Sequence, residues 1–457
     1  MSASITAAYL ARFRSVTAGA ADLLPLTGAQ RRFALTRRLD PQGRPDVVPL
    51  FFAYPRGTVD VARLRRAAVR LAGRHPALRG TLAALRGTPV LRLGEPTAEV
   101  RTVPVRPGGT AEDALRRELL AWSADGPPLR LLLAAGPGDD EELLAIALDH
   151  AACDEQSLGT VTAELTRLYR EDSPSDQAPP TAVGDDVAAY REAVELQLAA
   201  EVAASSPGAF THWGRRLGGL TGSADGLPGR AEGPPDTGML SHRLPAATGA
   251  GRSAAFPALL DAVSAAACSL FGADRPTDRA TDRTTEQAPD RATDHGLALG
   301  YPWGGRPPGA PQALGCFLNT LVHPADAGPA DLDGLSASWW DDLDHADTPF
   351  DEVVHAARSA GSRWSGALDG LLTFEDLHRR PALVLGGTAG RETHLAGRPL
   401  TAPFAVSASH GDDLLVRFAW DRANCTDDAA RSAFDALLHT LRRHLGAAPG
   451  STTPAAS

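Results

Sequence analysis

The chain has 457 residues, of which 43% are hydrophobic and 22% charged, with a formal net charge of −10. Such a length exceeds one ordinary core and predicts two domains or large lobes. The acidic balance argues against a nucleic-acid or anionic-membrane partner, and the absence of lysine excludes Schiff-base chemistry on a lysine.

In chain order, VVPLFFAY (47–54) is apolar and β-prone and predicts a buried strand. The stretch after it places Val61, Leu64, Ala68 and Leu71 at helical spacing with arginines opposite, an amphipathic helix. Strands are expected at 87–93 and 98–105, and a helix at 111–122. LRLLLAA and EELLAIAL, separated by GPGDD, predict a β-hairpin. A helix follows at 157–171, with Ser157 as its N-cap. Residues 173–186, rich in Pro, Ser and Asp, read as a linker. Beyond it come helices at about 185–204, 207–219 and 255–271. Strands at 297–301 and 315–324 are followed by helices near 331–344 and 350–360. Strands in ALDGLLTFED and DDLLVRFAW and a helix at 427–445 complete the pattern.

Between 273 and 296 the chain repeats Thr-Asp-Arg with almost no apolar residue, the composition of a disordered surface insertion. The tail at 447–457 is likewise expected to be disordered. Cys153, Cys268, Cys316 and Cys425 are isolated in sequence, so neither a metal site nor a disulfide framework is expected. No run reaches the roughly 18 apolar residues of a membrane span. A cytoplasmic monomer is the expectation.

Six stretches carry a resemblance. LPLTGAQRRF (24–33) is similar to an LTxAQxxxW opening, with Phe33 in the aromatic position. GRHPALRGTL (73–82) is similar to RHxxLRTxF, and LDHAACDEQS (148–157) falls where an HHxxxDGxS signature belongs. HWGRRLGGL (212–220), LGCFLNTLVHPAD (314–326) and HADTPFDEVV (345–354) follow in order. Together they resemble the condensation domains of nonribosomal peptide synthetases, within the chloramphenicol-acetyltransferase-like acyltransferases. The resemblance implies an α/β (α+β) fold of two such lobes in a V-shaped pseudo-dimer with a channel between them, at 1–180 and 181–446. It also implies a stand-alone condensation enzyme.

The reaction implied joins an acyl group, held as a thioester on the phosphopantetheine arm of an acyl or peptidyl carrier protein, to an amine or alcohol. No intrinsic cofactor or metal is implied. The thioester is already activated, so the protein's tasks are alignment, proton removal and oxyanion stabilisation. His150 occupies the position of the signature's second histidine and is the candidate base; a strand-end histidine satisfied by hydrogen bonds is the plain structural alternative. Asp154 matches the signature aspartate, which in the family pairs with a distant arginine, here Arg306 in YPWGGR. Asp149 replaces a histidine and, if strand geometry persists, points away from His150. Glu155 replaces a glycine, leaving three readings: it binds a cationic substrate, faces solvent, or blocks the channel. Ser157, Trp303, Asn319 and Thr320 are expected to line the channel, with packing roles the alternative for Trp303, Asn319 and Thr320. Arginine-rich helix faces, such as Arg31/Arg32 and Arg65/Arg66/Arg70, read as solvated surface or as contacts for an acidic carrier.

Two rival functions stay open. One is a non-catalytic condensation-like domain that recruits a partner enzyme or carrier protein. The other is an O- or N-acyltransferase using a free acceptor or coenzyme A.

Overall fold

The computed structural model describes residues 4–17, 20–41, 43, 46–171, 183–220, 236–245, 251–272, 296–325, 331–397 and 400–445. The expected tail, all of the expected insertion but Gly296, and most of the expected linker lie outside the described residues. The last four residues assigned to that linker instead begin a helix at Val183.

The chain divides into two compact units. The first comprises 1–204, 304–319 and 378–401; the second comprises 205–303, 320–377 and 402–457. The first unit therefore extends past residue 180 and takes in two later segments of chain.

The first unit contains helices α1 (Ile5–Val16) and α2 (Gly28–Leu39), strand β1 (Leu23–Leu24), strand β2 (Val47–Pro55) and helix α3 (Val61–Arg74). Strands β3 (Gly80–Leu85), β4 (Thr88–Leu93) and β5 (Glu99–Thr102), helix α4 (Ala111–Leu120) and strands β6 (Leu129–Ala134) and β7 (Glu141–Asp149) follow. Helices α5 (Glu155–Glu171) and α6 (Val183–Ala204) come next. Its main sheet has five strands, with β2, β7, β6 and β5 in that order and the short strand Arg391–Thr393 outside β2. β2 and β6 flank β7 antiparallel, and β5 runs parallel to β6.

β7 is buried on both faces, which explains its continuous apolar run. Leu144, Ile146 and Leu148 enter one core with Leu64 and Leu71 of α3 and Leu165 of α5. Leu143, Ala145 and Ala147 point the other way, to Leu115 and Leu119 of α4, as the two-residue period of a strand requires. Asp60 starts α3 by accepting hydrogen bonds from the N–H groups of Ala62 and Arg63. Burying the Leu64 and Leu71 side chains contributes about 1.5–3 kcal/mol each, so α3 is held chiefly by this face.

The second unit has helix α7 (Pro207–Leu217), strand β8 (Thr237–Pro245), helix α8 (Gly251–Phe271) and strands β9 (Leu297–Gly304) and β10 (Leu318–Ala325). Helices α9 (Leu332–Leu343) and α10 (Phe350–Ser359), strands β11 (Gly370–Asp376), β12 (Phe404–His410) and β13 (Asp413–Asp421) and helix α11 (Asp427–Leu445) follow. The six strands run β10-β9-β11-β12-β13-β8. β11 is parallel to β9 and β12, and β12, β13 and β8 form an antiparallel run. Phe404, Phe418, Leu437 and Leu441 share its core with Trp213 and Trp364. The expected strand from 315 begins only at Leu318, because Gly315 and Phe317 spend their backbone bonds elsewhere, as described below.

Among the described residues, no helix is long and apolar enough to cross a membrane.

Candidate functional site

Strand β7 ends at Asp149, and His150–Ala152 form one turn of 3-10 helix before α5 begins. The turn is fixed at both ends. The Asp149 side chain accepts from the N–H of Ala151 at 2.9 Å and from Arg37 Nη2 at 2.7 Å. The Ala151 carbonyl accepts from Gln30 Nε2 at 2.8 Å, and the same amide group lies 3.1 Å from the Tyr190 hydroxyl. Gln30 is itself held in α2, where it forms a capping box with Thr27.

Asp154 follows the turn and organises what comes next. Its Oδ1 accepts from the N–H of Ser157 at 2.9 Å and lies 2.7 Å from the Ser157 hydroxyl. Its Oδ2 accepts from Arg306 Nη1 at 2.6 Å and from the N–H of Phe317 at 3.1 Å. The four lone-pair positions of one carboxylate thus serve three segments of chain. Ser157 is not the cap of α5: the helix begins at Glu155, Asp154 caps it, and Ser157 lies buried in its first turn. The physical reason is that a carboxylate reaching the third N–H of a helix satisfies an orphan donor more strongly than a hydroxyl does. Ser157 Oγ instead accepts from Arg306 Nη2 and the N–H of Gly315, at 3.0 and 3.1 Å.

Arg306 uses its whole fork. Its Nε and Nη2 donate to the Ala313 carbonyl, Nη1 also reaches Gln156, and the guanidinium lies over the Phe317 ring at 4.5 Å. Gly304, at φ +102, takes the left-handed backbone that ends β9 just before this arginine.

His150 is half-buried. Its backbone N–H donates to the Asp46 carbonyl at 3.0 Å, and its ring packs against Phe33 with centroids 4.9 Å apart. Nδ1 is buried and has no hydrogen-bond partner among the described residues. The imidazole is therefore held by packing and by its backbone.

Glu155 carries its carboxylate to Arg380, with Oε1 2.6 Å from Nη2. Arg380 is nearly buried, at 5% side-chain exposure, and also pairs with Glu392. The glutamate at the glycine position thus has a protein cation beside it, 225 residues along the chain. Cys153 and Cys316 are fully buried, and burial pushes both thiols up.

Asp149, His150, Asp154, Glu155, Ser157 and Arg306 come together in the first unit, which also holds Asn319. Trp303 and Thr320 belong to the second unit, where Trp303 packs edge-on to Trp339 at 5.9 Å. Sequence reasoning missed Arg37, Asp46 and Arg380 around the turn. It also read Arg31 as surface, whereas Arg31 is buried against Glu201 at 3.2 Å and Thr6 at 2.7 Å. Gln30 was within reach, since Thr-x-x-Gln before a helix is a capping-box signal.

No protein-family model matches the chain. A probable non-canonical nonribosomal peptide synthetase, CymA of Salinispora arenicola, is 31% identical over 170 residues, covering 31% of this chain and 2% of that protein. Malformin synthetase of Aspergillus niger is 29% identical over 200 residues, 43% of this chain and 4% of its own length. Tyrocidine synthase 2 of Brevibacillus parabrevis is 26% identical over 157 residues, 34% and 4% respectively. The chain thus spans only a few hundredths of these relatives. Among solved structures, the X-domain from teicoplanin biosynthesis superposes with a TM-score of 0.63 at 20% identity, covering 92% of this chain and 95% of that one. The starter condensation domain of rhizomide synthetase gives 0.61 at 13% identity, covering 93% and 96%. The condensation domain of the monacolin K polyketide synthase gives 0.60 at 15%, covering 93% and 97%.

Proposed function

We propose that this chain, which has the condensation-domain fold, is an acyltransferase of nonribosomal peptide biosynthesis that joins a carrier-bound acyl thioester to an amine or alcohol. The observation that carries this reading is the state of His150. It sits on a turn braced by Asp149, Gln30 and, through α5, the Asp154–Arg306 pair, yet its side chain has no hydrogen-bond partner among the described residues. An imidazole on a turn so braced can be held against a nucleophile to take its proton.

In the proposed reaction, the nucleophile attacks the thioester carbonyl, forming a C–N or C–O bond. His150 takes the proton that the nucleophile gives up. The tetrahedral intermediate then collapses, the C–S bond breaks, and the proton leaves with the phosphopantetheine thiol. No metal or nucleotide is consumed, because the thioester supplies the driving force. Glu155, held by Arg380, keeps its charge paired at the start of α5.

The test is reconstitution with an acyl-loaded carrier protein and a panel of amines and alcohols, comparing the wild type with His150→Ala. Product from the wild type and its loss in the variant support the reading. No product with any pair of substrates, or equal product from the variant, overturns it.

A second reading has a specific support. A solved complex of the X-domain with OxyB from teicoplanin biosynthesis superposes with a TM-score of 0.62 at 18% identity, covering 93% of both chains. A recruiting role for this chain would show as stable binding of a tailoring oxidase or a carrier protein without turnover.

A further inference from the structure

β2 and β7 are paired antiparallel, with Val47 opposite Asp149. One position further out, Asp46 lies opposite His150, and the His150 N–H to Asp46 carbonyl bond of 3.0 Å continues the ladder to that pair. Side chains directly opposite in an antiparallel ladder have Cβ atoms about 4.5–5.5 Å apart on one face of the sheet. The two side chains are neighbours across the end of the ladder, and in this structure they form no hydrogen bond or ion pair with each other among the described residues.

The carboxylate next to His150 in sequence is already committed. Asp149 accepts from Arg37 and from the Ala151 N–H. Meanwhile Nδ1 of His150 is buried without a hydrogen-bond partner among the described residues, and a buried ring nitrogen in that condition calls for an explanation. The charges around Asp46 agree with the register. Burial raises its carboxyl above the ordinary range, the charge of His150 is the strongest influence opposing that rise, Arg37 and Arg32 act with His150, and Asp149 acts against them.

We infer that Asp46 is a positioning residue for His150: its carboxylate, across the strand pair, selects the imidazole tautomer and stabilises the imidazolium that forms when His150 accepts a proton. The inference rests on the proposed reaction for its purpose. The role is that of the third group in a nucleophile–base–acid arrangement, supplied here from the neighbouring strand. Asp46 takes no proton in the cycle and keeps its charge.

The experiment uses the full chain labelled with 15N-histidine. The two ring-nitrogen signals of His150, assigned by their loss in His150→Gln, report which nitrogen carries the proton. The wild type is expected to show one dominant tautomer, and both Asp46→Ala and Asp46→Asn are expected to move the pair of signals toward mixed tautomers. Superimposable His150 signals in a natively folded Asp46→Asn chain overturn the inference; the near-isosteric Asn keeps the test open should Asp46→Ala fail to fold. In the reconstituted reaction, Asp46→Asn is expected to lower kcat roughly 10- to 100-fold with KM held within about twofold, and Asp46→Glu to recover part of the loss. A shift confined to KM overturns the positioning role. Absence of turnover in the wild type would count against the proposed reaction, while the nitrogen signals would still decide the part played by Asp46.

Discussion

The carboxylate of Asp154 and the guanidinium of Arg306 meet at 2.6 Å across 152 residues of chain, with side-chain exposures of 4% and 8%. Both groups have given up water, so the loss of either leaves the other charged, buried and unmatched. Asp154→Ala should cost about 3–5 kcal/mol of stability, measured as a shift in a urea unfolding midpoint. A variant as stable as the wild type would show the pair to be dispensable.

His150→Ala is expected to behave in the opposite way. The ring's partners are Phe33 and its own backbone, and it has no side-chain hydrogen bond among the described residues to lose. Removing it should change stability by about 1 kcal/mol or less and lower turnover by about 10²- to 10⁴-fold. Thermal unfolding together with product formation separates the two effects; a variant that melts early and turns over normally would contradict the assignment.

Glu155 and Arg380 are unequal partners. Glu155 is 46% exposed at its side chain, so its ion pair is screened by solvent, and Glu155→Gln should cost about 1 kcal/mol at most. Arg380 is nearly buried and faces both Glu155 and Glu392. Arg380→Ala leaves two carboxylates without that cation and should cost more, about 1–3 kcal/mol. The comparison is read from denaturant midpoints of the two single variants. An Arg380→Ala chain no weaker than Glu155→Gln would remove Arg380 as the centre of the cluster.

His323 sets an acid limit. It is buried beside Arg216, which also binds Asp342, and burial first, then the guanidinium, lower its pKa to about 3; Asp342 opposes them. The unfolded chain therefore binds a proton at this residue before the folded one does. Its contribution to stability is complete above the ordinary histidine range and is lost as pH falls from about 6.5 toward about 3, at roughly 1.4 kcal/mol per pH unit. His323→Gln should flatten that part of the curve, as measured by unfolding at a series of pH values; an unaltered slope would place the acid sensitivity elsewhere.

The cysteines should divide by burial. Cys153 and Cys316 have no exposed surface and raised thiols, and Cys425 is buried with its thiol pushed up to about 11, whereas Cys268 is half-buried. Alkylation of the native chain at neutral pH is expected to reach Cys268 first, as mass spectrometry of tryptic peptides would report. Early labelling of Cys153 would mean that the turn beside His150 opens readily.

Where periodicity is clean, the chain can be read directly. Leu64, Ala68 and Leu71 predict α3 because one apolar stripe on an arginine-rich helix has a single way to be buried. β7 is recognisable from its uninterrupted apolar run. β12 was missed because every residue of FAVSASH is buried, polar ones included, so no alternation betrays it. Around the turn, the motif residues are legible because their spacing is local. Arg380 is not, since nothing at position 380 signals a partner 225 residues earlier. Arg31 misled for a related reason: its neighbour Glu201 lies 170 residues later, and an arginine on a helix reads as solvated until its acid is found.

The Asp154 carboxylate also imposes an order on synthesis. All residues of the turn, from Asp149 to Ser157, leave the ribosome before Arg306 and Phe317, with β2, β6 and β7 already made. Yet two of the donors to Asp154 Oδ2 are Arg306 and the Phe317 N–H, and Ser157 waits for Gly315. Through the 149 residues of chain from Ser157 to Arg306 the carboxylate has only the donors of its own helix. The nascent first unit must therefore pass through a state in which the ground under His150 is unfinished, and early truncations that keep the whole motif should still leave it loose.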